Sequence, residues 1–265
     1  MHTRRMLHVH RFGPPDGPAV LMLHGLTGHG HRWATLAREY LPDLRILAPD
    51  LPGHGRSDWS PPWTLDDVAA TVADTVTAET SRPVVVVGHS FGGAVGLYLA
   101  AHRPALVRAL LLLDPAIGLT PARALRAATD AVTFPDYADV AEARAQKLVE
   151  AWGELPPELL DAELTEHLVS TRGGRVGWRI CPPAIGAFYG ELARPARLPV
   201  AGTPTVLVRA AKVRPPFADD AVVTQLADHL DTWFRFVEYD CDHMVSFARP
   251  ADVAGLVREL LDRSR

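Results

Sequence analysis

Gly88-His89-Ser90-Phe91-Gly92 sets a serine between two glycines, directly after the all-valine run Val84–Val87 and before an apolar helical segment. A serine hydroxyl is a weak nucleophile until a base takes its proton and donors meet the oxyanion that its attack creates. The G-x-S-x-G spacing in a strand-to-helix setting answers the first need, because the glycines permit a tight turn that lifts the hydroxyl clear of the sheet. The N–H of Phe91 then stands at a helix N-terminus, where orphan donors and the helix dipole favour negative charge. His24-Gly25-Leu26-Thr27-Gly28 follows a second apolar run and offers the N–H of Leu26 as a second donor. Losing one such donor typically costs about 3–4 kcal/mol of barrier lowering. His243, in Asp240-Cys241-Asp242-His243-Met244, lies just past a third strand signal and is the candidate base. The order serine early, histidine late is one of the convergent triad orders.

Other chemistries fit less well. No G-x-x-x-x-G-K or G-x-G-x-x-G follows the glycine-rich turns, so a phosphate cradle is not expected. His24, His29 and His31 cluster in sequence, but their spacing matches no familiar zinc pattern, and no metal or other cofactor is expected.

The elements that must position these groups alternate along the chain. Ala19–Leu23, Arg45–Ala48, Val84–Val87, Ala109–Leu113 and Thr205–Val208 are near-continuous apolar runs bounded by Gly, Pro or Asp. Such runs suit strands buried on both faces of a parallel sheet. Arg32–Tyr40, Leu65–Thr80 and Gly92–His102 read as helices between them, the second with Thr64 as N-cap and Leu65, Val68, Val72 and Val76 on one face. From about Gly118 to Pro204 the rhythm changes to helices, expected at Pro121–Val132, Ala138–Trp152 and Pro157–Val169, without a convincing strand. Strand and helix then resume through Thr205–Arg209, Ala218–Leu230, Phe234–Tyr239 and Pro250–Leu261. The expected organisation is a doubly wound α/β core, residues 1–117 and 204–265, interrupted by a helical insertion at 118–203.

Composition narrows the partners. The chain has 265 residues, 27 basic against 31 acidic, for a net charge of −4. Its pI near 6.3 lacks the basic footprint of a nucleic-acid binder. No run of about 18 apolar residues is present, so no membrane span is expected. The first eight residues carry no apolar core of the signal-peptide kind, and Cys181 and Cys241 read as free thiols, which together point to a cytoplasmic protein. Only Lys147 and Lys212 are lysines; the arginine excess, beside many Ala and Pro, reads as genomic composition bias.

Together with Asp50-Leu-Pro-Gly-His-Gly-Arg-Ser-Asp58, which looks like the D-x-P-G-H-G-x-S-D turn, these motifs resemble the α/β-hydrolase family across the chain apart from the insertion. The insertion falls at the family's usual cap position. The resemblance implies Ser90 as nucleophile, His243 as base and a carboxylate partner between them. Here the sequence departs from the pattern, because Val213 stands where the family usually has its acid. Asp114, at the end of the preceding strand, is the preferred replacement, since some family members place the acid there. Asp219 and Asp220 are alternatives that look better as the start of a helix, and Asp242 is a further one. Trp152, Trp178, Phe188 and Tyr189 are candidates either for an apolar acyl pocket or for a seam between insertion and core, while Trp33 reads as packing. The expected activity is serine hydrolysis of small or medium carboxylic esters through an acyl-enzyme. C–C bond hydrolysis, lactone hydrolysis, perhydrolysis or a catalytically weak binding or receptor module are the alternatives.

Overall fold

The computed structural model describes residues 6–263; residues 1–5, expected at the start of the core, and 264–265 lie outside the described residues. In chain order the elements are β1 (Val9–Phe12), β2 (Ala19–Leu23), β3 (Arg45–Pro49), α1 (Leu65–Glu79), β4 (Val84–His89), α2 (Phe91–His102) and β5 (Val107–Leu113). Then come α3 (Pro121–Thr133), α4 (Val140–Val149), α5 (Pro157–His167), β6 (Leu168–Ser170), β7 (Val176–Trp178) and α6 (Pro182–Leu192). The chain closes with β8 (Thr205–Ala210), α7 (Asp220–Leu230), β9 (Phe234–Tyr239), α8 (Val245–Ala248) and α9 (Pro250–Arg263).

Seven strands form one sheet in the order β1-β3-β2-β4-β5-β8-β9, parallel except for β1 at the edge. The apolar runs are continuous because each strand is covered on both faces. Leu21, Leu23, Val84, Val86, Leu110 and Leu112 pack toward α1, α2 and α7. Their alternates Val20, Met22, Val85, Val87, Leu111 and Leu113 pack toward α9 and the segment around Trp33 and Leu36. Thr64 caps α1 as expected, its hydroxyl accepting the Asp67 N–H at 3.1 Å, and Leu65, Val68, Val72 and Val76 are its buried face. Parallel pairing gathers the C-terminal ends of β2, β3, β4, β5, β8 and β9 at one edge of the sheet, and every motif follows one of these ends.

Three local expectations change. Residues 32–40 are not one α-helix but a short 3-10 turn, Gly30–Trp33, then a wider π turn, Leu36–Tyr40, whose apolar side chains reach the core from both pieces. The edge strand β1 carries His10 and Arg11 among its four residues, so its apolar signal is weak. Between α5 and α6 the chain makes a two-stranded antiparallel ribbon, pairing Leu168 with Trp178. Three-residue strands are too short to imprint a period-two pattern, and Gly173 and Gly174 turn the ribbon at positive φ. No helix among the described residues is long and apolar enough to cross a membrane.

Candidate active site

Ser90 sits between β4 and α2 with φ 52° and ψ −116°, a conformation that costs a non-glycine residue energy and must be held by its surroundings. The flanking glycines make it possible. A Cβ on Gly88 would overlap the carbonyl of Gly92, and one on Gly92 would overlap the carbonyl of Leu23. The Ser90 backbone is tied to the end of β5 and the turn after it, its N–H donating to Leu113 O at 3.0 Å and its carbonyl accepting from Ala116 N at 3.1 Å.

Asp114, the residue after β5, is fully buried and also has positive φ. Its Oδ2 lies 2.6 Å from His243 Nδ1, and its Oδ1 accepts the Ala210 N–H at 3.1 Å. A carboxylate facing Nδ1 requires the proton on that nitrogen, which leaves Nε2 with the lone pair a base needs. The other carboxylates are engaged elsewhere. Asp219 caps α7 through the Val222 N–H at 2.9 Å, Asp220 pairs with Arg209 at 2.7 Å, and Asp242 accepts the N–H of His243 itself at 2.7 Å. Val213 packs partly buried against the second core cluster, a place unsuited to a charge.

Three histidines around the site have roles that their positions in glycine-rich turns did not signal. His89 Nε2 stands 2.8 Å from the carbonyl of His243, so it donates there and anchors the backbone of the histidine loop. Burial, then the neighbouring His243, holds His89 well below the usual histidine range, so it is a neutral donor. His24 Nε2 accepts the Leu51 N–H at 2.9 Å and its Nδ1 donates to Gly25 O at 2.8 Å. His54, pushed down to about 4 mainly by burial, packs beside the paired rings of Phe91 and Phe188, about 6 Å from each.

The loop carrying Leu26 is fixed from the segment between β5 and β8. Thr27 has φ 60°, and its carbonyl accepts from Arg32 Nη2 at 3.1 Å. Arg32 in turn grips Glu163 of α5 through Nη2 at 2.5 Å and Nε at 3.0 Å. His29 Nε2 meets the same carboxylate at 2.9 Å. Burial pushes Glu163 up, but Arg32 and His29 more than offset it and hold the carboxyl well below its ordinary value. Arg32 and Glu163 are 131 residues apart, and no local motif joins them. Gly25 completes the loop's approach, since a Cβ there would come within 3.1 Å of Ser90 Cβ.

A cavity of about 430 Å³ opens over Ser90 and His243, with Leu26, Thr27, Trp152 and Phe217 in its wall. An adjoining pocket of about 650 Å³ shares Thr27, Lys147 and Glu150 with it and is lined by Trp178 and Tyr189. Phe188 lines neither; it is fully buried, with its ring 4.7 Å from that of Phe91. The four aromatic candidates therefore divide between pocket wall and packing. A larger cleft of about 1070 Å³ lies at the opposite, N-terminal ends of β2, β4 and β5, where no serine, cysteine or histidine lines it.

Of the three histidines considered as metal ligands, His24 has both nitrogens bonded and His29 turns Nε2 to Glu163, while His31 stacks on His29 with ring centroids 6.4 Å apart. Among the described residues, His8, His10 and Asp50 bring ligand atoms within 4.8 Å of one another. Asp50 there already accepts the Gly30 N–H at 2.7 Å and the Arg56 N–H at 2.8 Å, the bonds that brace its Pro-Gly-His-Gly turn.

Residues 20–256 match the family model described as the alpha/beta hydrolase family. The chain belongs to that family. It is 48% identical over 255 residues to Lipase LipV of Mycobacterium tuberculosis, covering 96% of this chain and 97% of that protein. Among solved structures, a marine microorganism esterase superposes with a TM-score of 0.77 at 19% identity, covering 97% of this chain and 99% of the other. E-2-(Acetamidomethylene)succinate hydrolase superposes equally well, TM-score 0.77 at 21% identity, covering 98% of each. At those identities the two structures speak for the shared fold.

Proposed function

We propose that the protein is a serine hydrolase of carboxylic esters, working through Ser90, His243 and Asp114. The observation that carries this reading is the 2.6 Å bond between Asp114 Oδ2 and His243 Nδ1 beneath the cavity that Ser90 and His243 share. The near full-length likeness to a protein named a lipase supports it. Ser90 Oγ attacks the ester carbonyl while its proton passes to His243 Nε2. Asp114 stabilises the imidazolium, and the N–H groups of Leu26 and Phe91 hold the oxyanion. Collapse breaks the ester C–O bond and the alcohol leaves with the proton from His243. Water, deprotonated by the same imidazole, then releases the acid from the serine. A cavity of about 430 Å³ fits a small or medium acyl group.

An apolar Val213 at the family's usual acid position is the one feature that favours a catalytically weak binding module. The bond between Asp114 and His243 supports the hydrolase reading over it. We expect a fluorophosphonate probe to label the wild-type protein promptly and Ser90→Ala not at all. Hydrolysis of p-nitrophenyl butyrate should fall by roughly 10⁴-fold or more in Ser90→Ala. Full activity in that variant would sink the proposal.

A further inference from the structure

Both lysines of the chain, Lys147 and Lys212, line the cavity over Ser90, together with Arg32, Arg123 and Arg214. Five cations around one cavity stand out in a chain whose net charge is −4. Three are neutralised in place: Arg32 by Glu163 at 2.5 Å, Lys147 by Glu150 at 2.7 Å and Lys212 by Glu154 at 2.7 Å. Arg123 and Arg214 have no carboxylate partner among the described residues. Arg123 spends Nη1 on the carbonyls of Pro215 and Pro216 at 3.1 and 3.0 Å. Arg214 donates only to the carbonyl of its neighbour Val213 at 3.1 Å. Asp242, the lining carboxylate not tied to a lysine, is taken up by the His243 amide.

Arg123 is held against the chemistry. Its guanidinium lies 4.0 Å over the ring of Phe217, and that ring lies 4.4 Å from the ring of His243. A charge on the substrate several atoms from the ester carbonyl would meet it there. Arginines such as Arg11 and Arg258, which have carboxylate partners, are raised above their ordinary value by those bonds. Arg123 is lowered, first by burial, with the Asp114 carboxylate acting the other way without forming an ion pair. The acid being at Asp114, the Lys212-Val213-Arg214 loop after β8 is free to carry positive charge over the site.

We propose that this cavity selects esters bearing a carboxylate, with Arg123 and Arg214 as the pair that receives it. The inference rests on the reading of the cavity as an esterase site and names its substrate class. Two guanidiniums presenting open donors suit a planar carboxylate, to which arginine bonds in a fork.

The test compares mono-p-nitrophenyl adipate with p-nitrophenyl hexanoate, which share a six-carbon acyl chain and a leaving group, after subtraction of uncatalysed hydrolysis. A second arm compares 4-carboxyphenyl acetate with phenyl acetate and so puts the charge on the alcohol side. In at least one arm the anionic ester should be preferred in kcat/KM by roughly 10-fold or more, the usual reach of a charge-assisted bond. The preference should shrink in high salt, because screening weakens a partly exposed charge pair. Arg214→Gln, and separately Arg123→Gln, should collapse the anionic-to-neutral ratio, chiefly through KM. The ratio within one variant is insensitive to how much protein folds. Equal or better turnover of the neutral esters in both arms would overturn the inference, as would an anionic preference that both variants retain. Ser90-dependent hydrolysis of the neutral esters alone would leave the esterase reading standing. Loss of all Ser90-dependent hydrolysis would instead strike at that reading.

Discussion

Replacing Asp114 by asparagine keeps the shape of a fully buried side chain and removes its charge. The carboxylate contacts His243 Nδ1 at 2.6 Å, so the charge centres lie roughly 4 Å apart when the imidazole is protonated, worth about 4 kcal/mol at an effective dielectric of 20. That alone corresponds to a loss of about 10³-fold in rate. An amide NH₂ facing Nδ1 also favours the tautomer with its proton on Nε2, which disables the base, so a total near 10⁴-fold is expected. The assay is kcat/KM for p-nitrophenyl butyrate, with the rate of fluorophosphonate labelling measured on the same samples and circular dichroism as a check on folding. Asp219→Asn, Asp220→Asn and Asp242→Asn are the comparators, because the first caps α7, the second pairs with Arg209 and the third binds a backbone amide. Each should stay within about 10-fold of wild type. A folded Asp114→Asn that keeps a tenth of wild-type activity, or a comparator that matches its loss, would refute the assignment.

Further outcomes follow from two buried groups. Glu163→Gln leaves the Arg32 guanidinium buried without its counter-ion, and should cost about 3–5 kcal/mol of stability in urea unfolding. It should also lower kcat by freeing the Thr27 carbonyl from its brace, whereas unchanged stability and kcat would show the network to be idle. Because Glu163 is held below its ordinary value in the fold, its contribution is present above the unfolded pKa of about 4.3 and is lost as pH falls through the folded value. In acid the stability gap between wild type and Glu163→Gln should therefore close, and a gap that widened below pH 4 would contradict this sign. Burial pushes the Cys241 thiol up to about 11, so iodoacetamide at pH 8 should leave it unmodified in the native protein and alkylate it after denaturation.

The strands around the site were legible because a parallel sheet demands apolar runs on both faces, and Val84–Val87 admits few other readings. Ser90 and His243 stood out as candidates through flanking glycines and position after a strand. Asp114 did not: an aspartate ending an apolar run looks like a strand terminus, and only likeness to a family made it a candidate. The brace on the Leu26–Thr27 loop was invisible, since Arg32 and Glu163 meet only when α5 packs on the core. His89 was passed over because an x position within G-x-S-x-G carries no information about which way a ring points. The ribbon β6–β7 and the broken helix at 30–40 were missed for a simpler reason, being shorter than the windows over which periodicity becomes visible.

The pairing of β4 with β5 sets the spacing of two of the three candidate residues. His89 lies opposite Leu113 in the ladder, so the residues that follow them, Ser90 and Asp114, are spaced by sheet hydrogen bonds. Asp114 is pinned to β8 as well, its N–H donating to Val208 O at 2.7 Å. Ser90 and Asp114 are thus held by the same sheet, and His243 reaches them from the loop after β9. The loop is in turn held to them by His89 through the His243 carbonyl at 2.8 Å. Insertions and exchanges in the loop after β8 can reshape the cavity mouth while the spacing of Ser90 and Asp114 is kept.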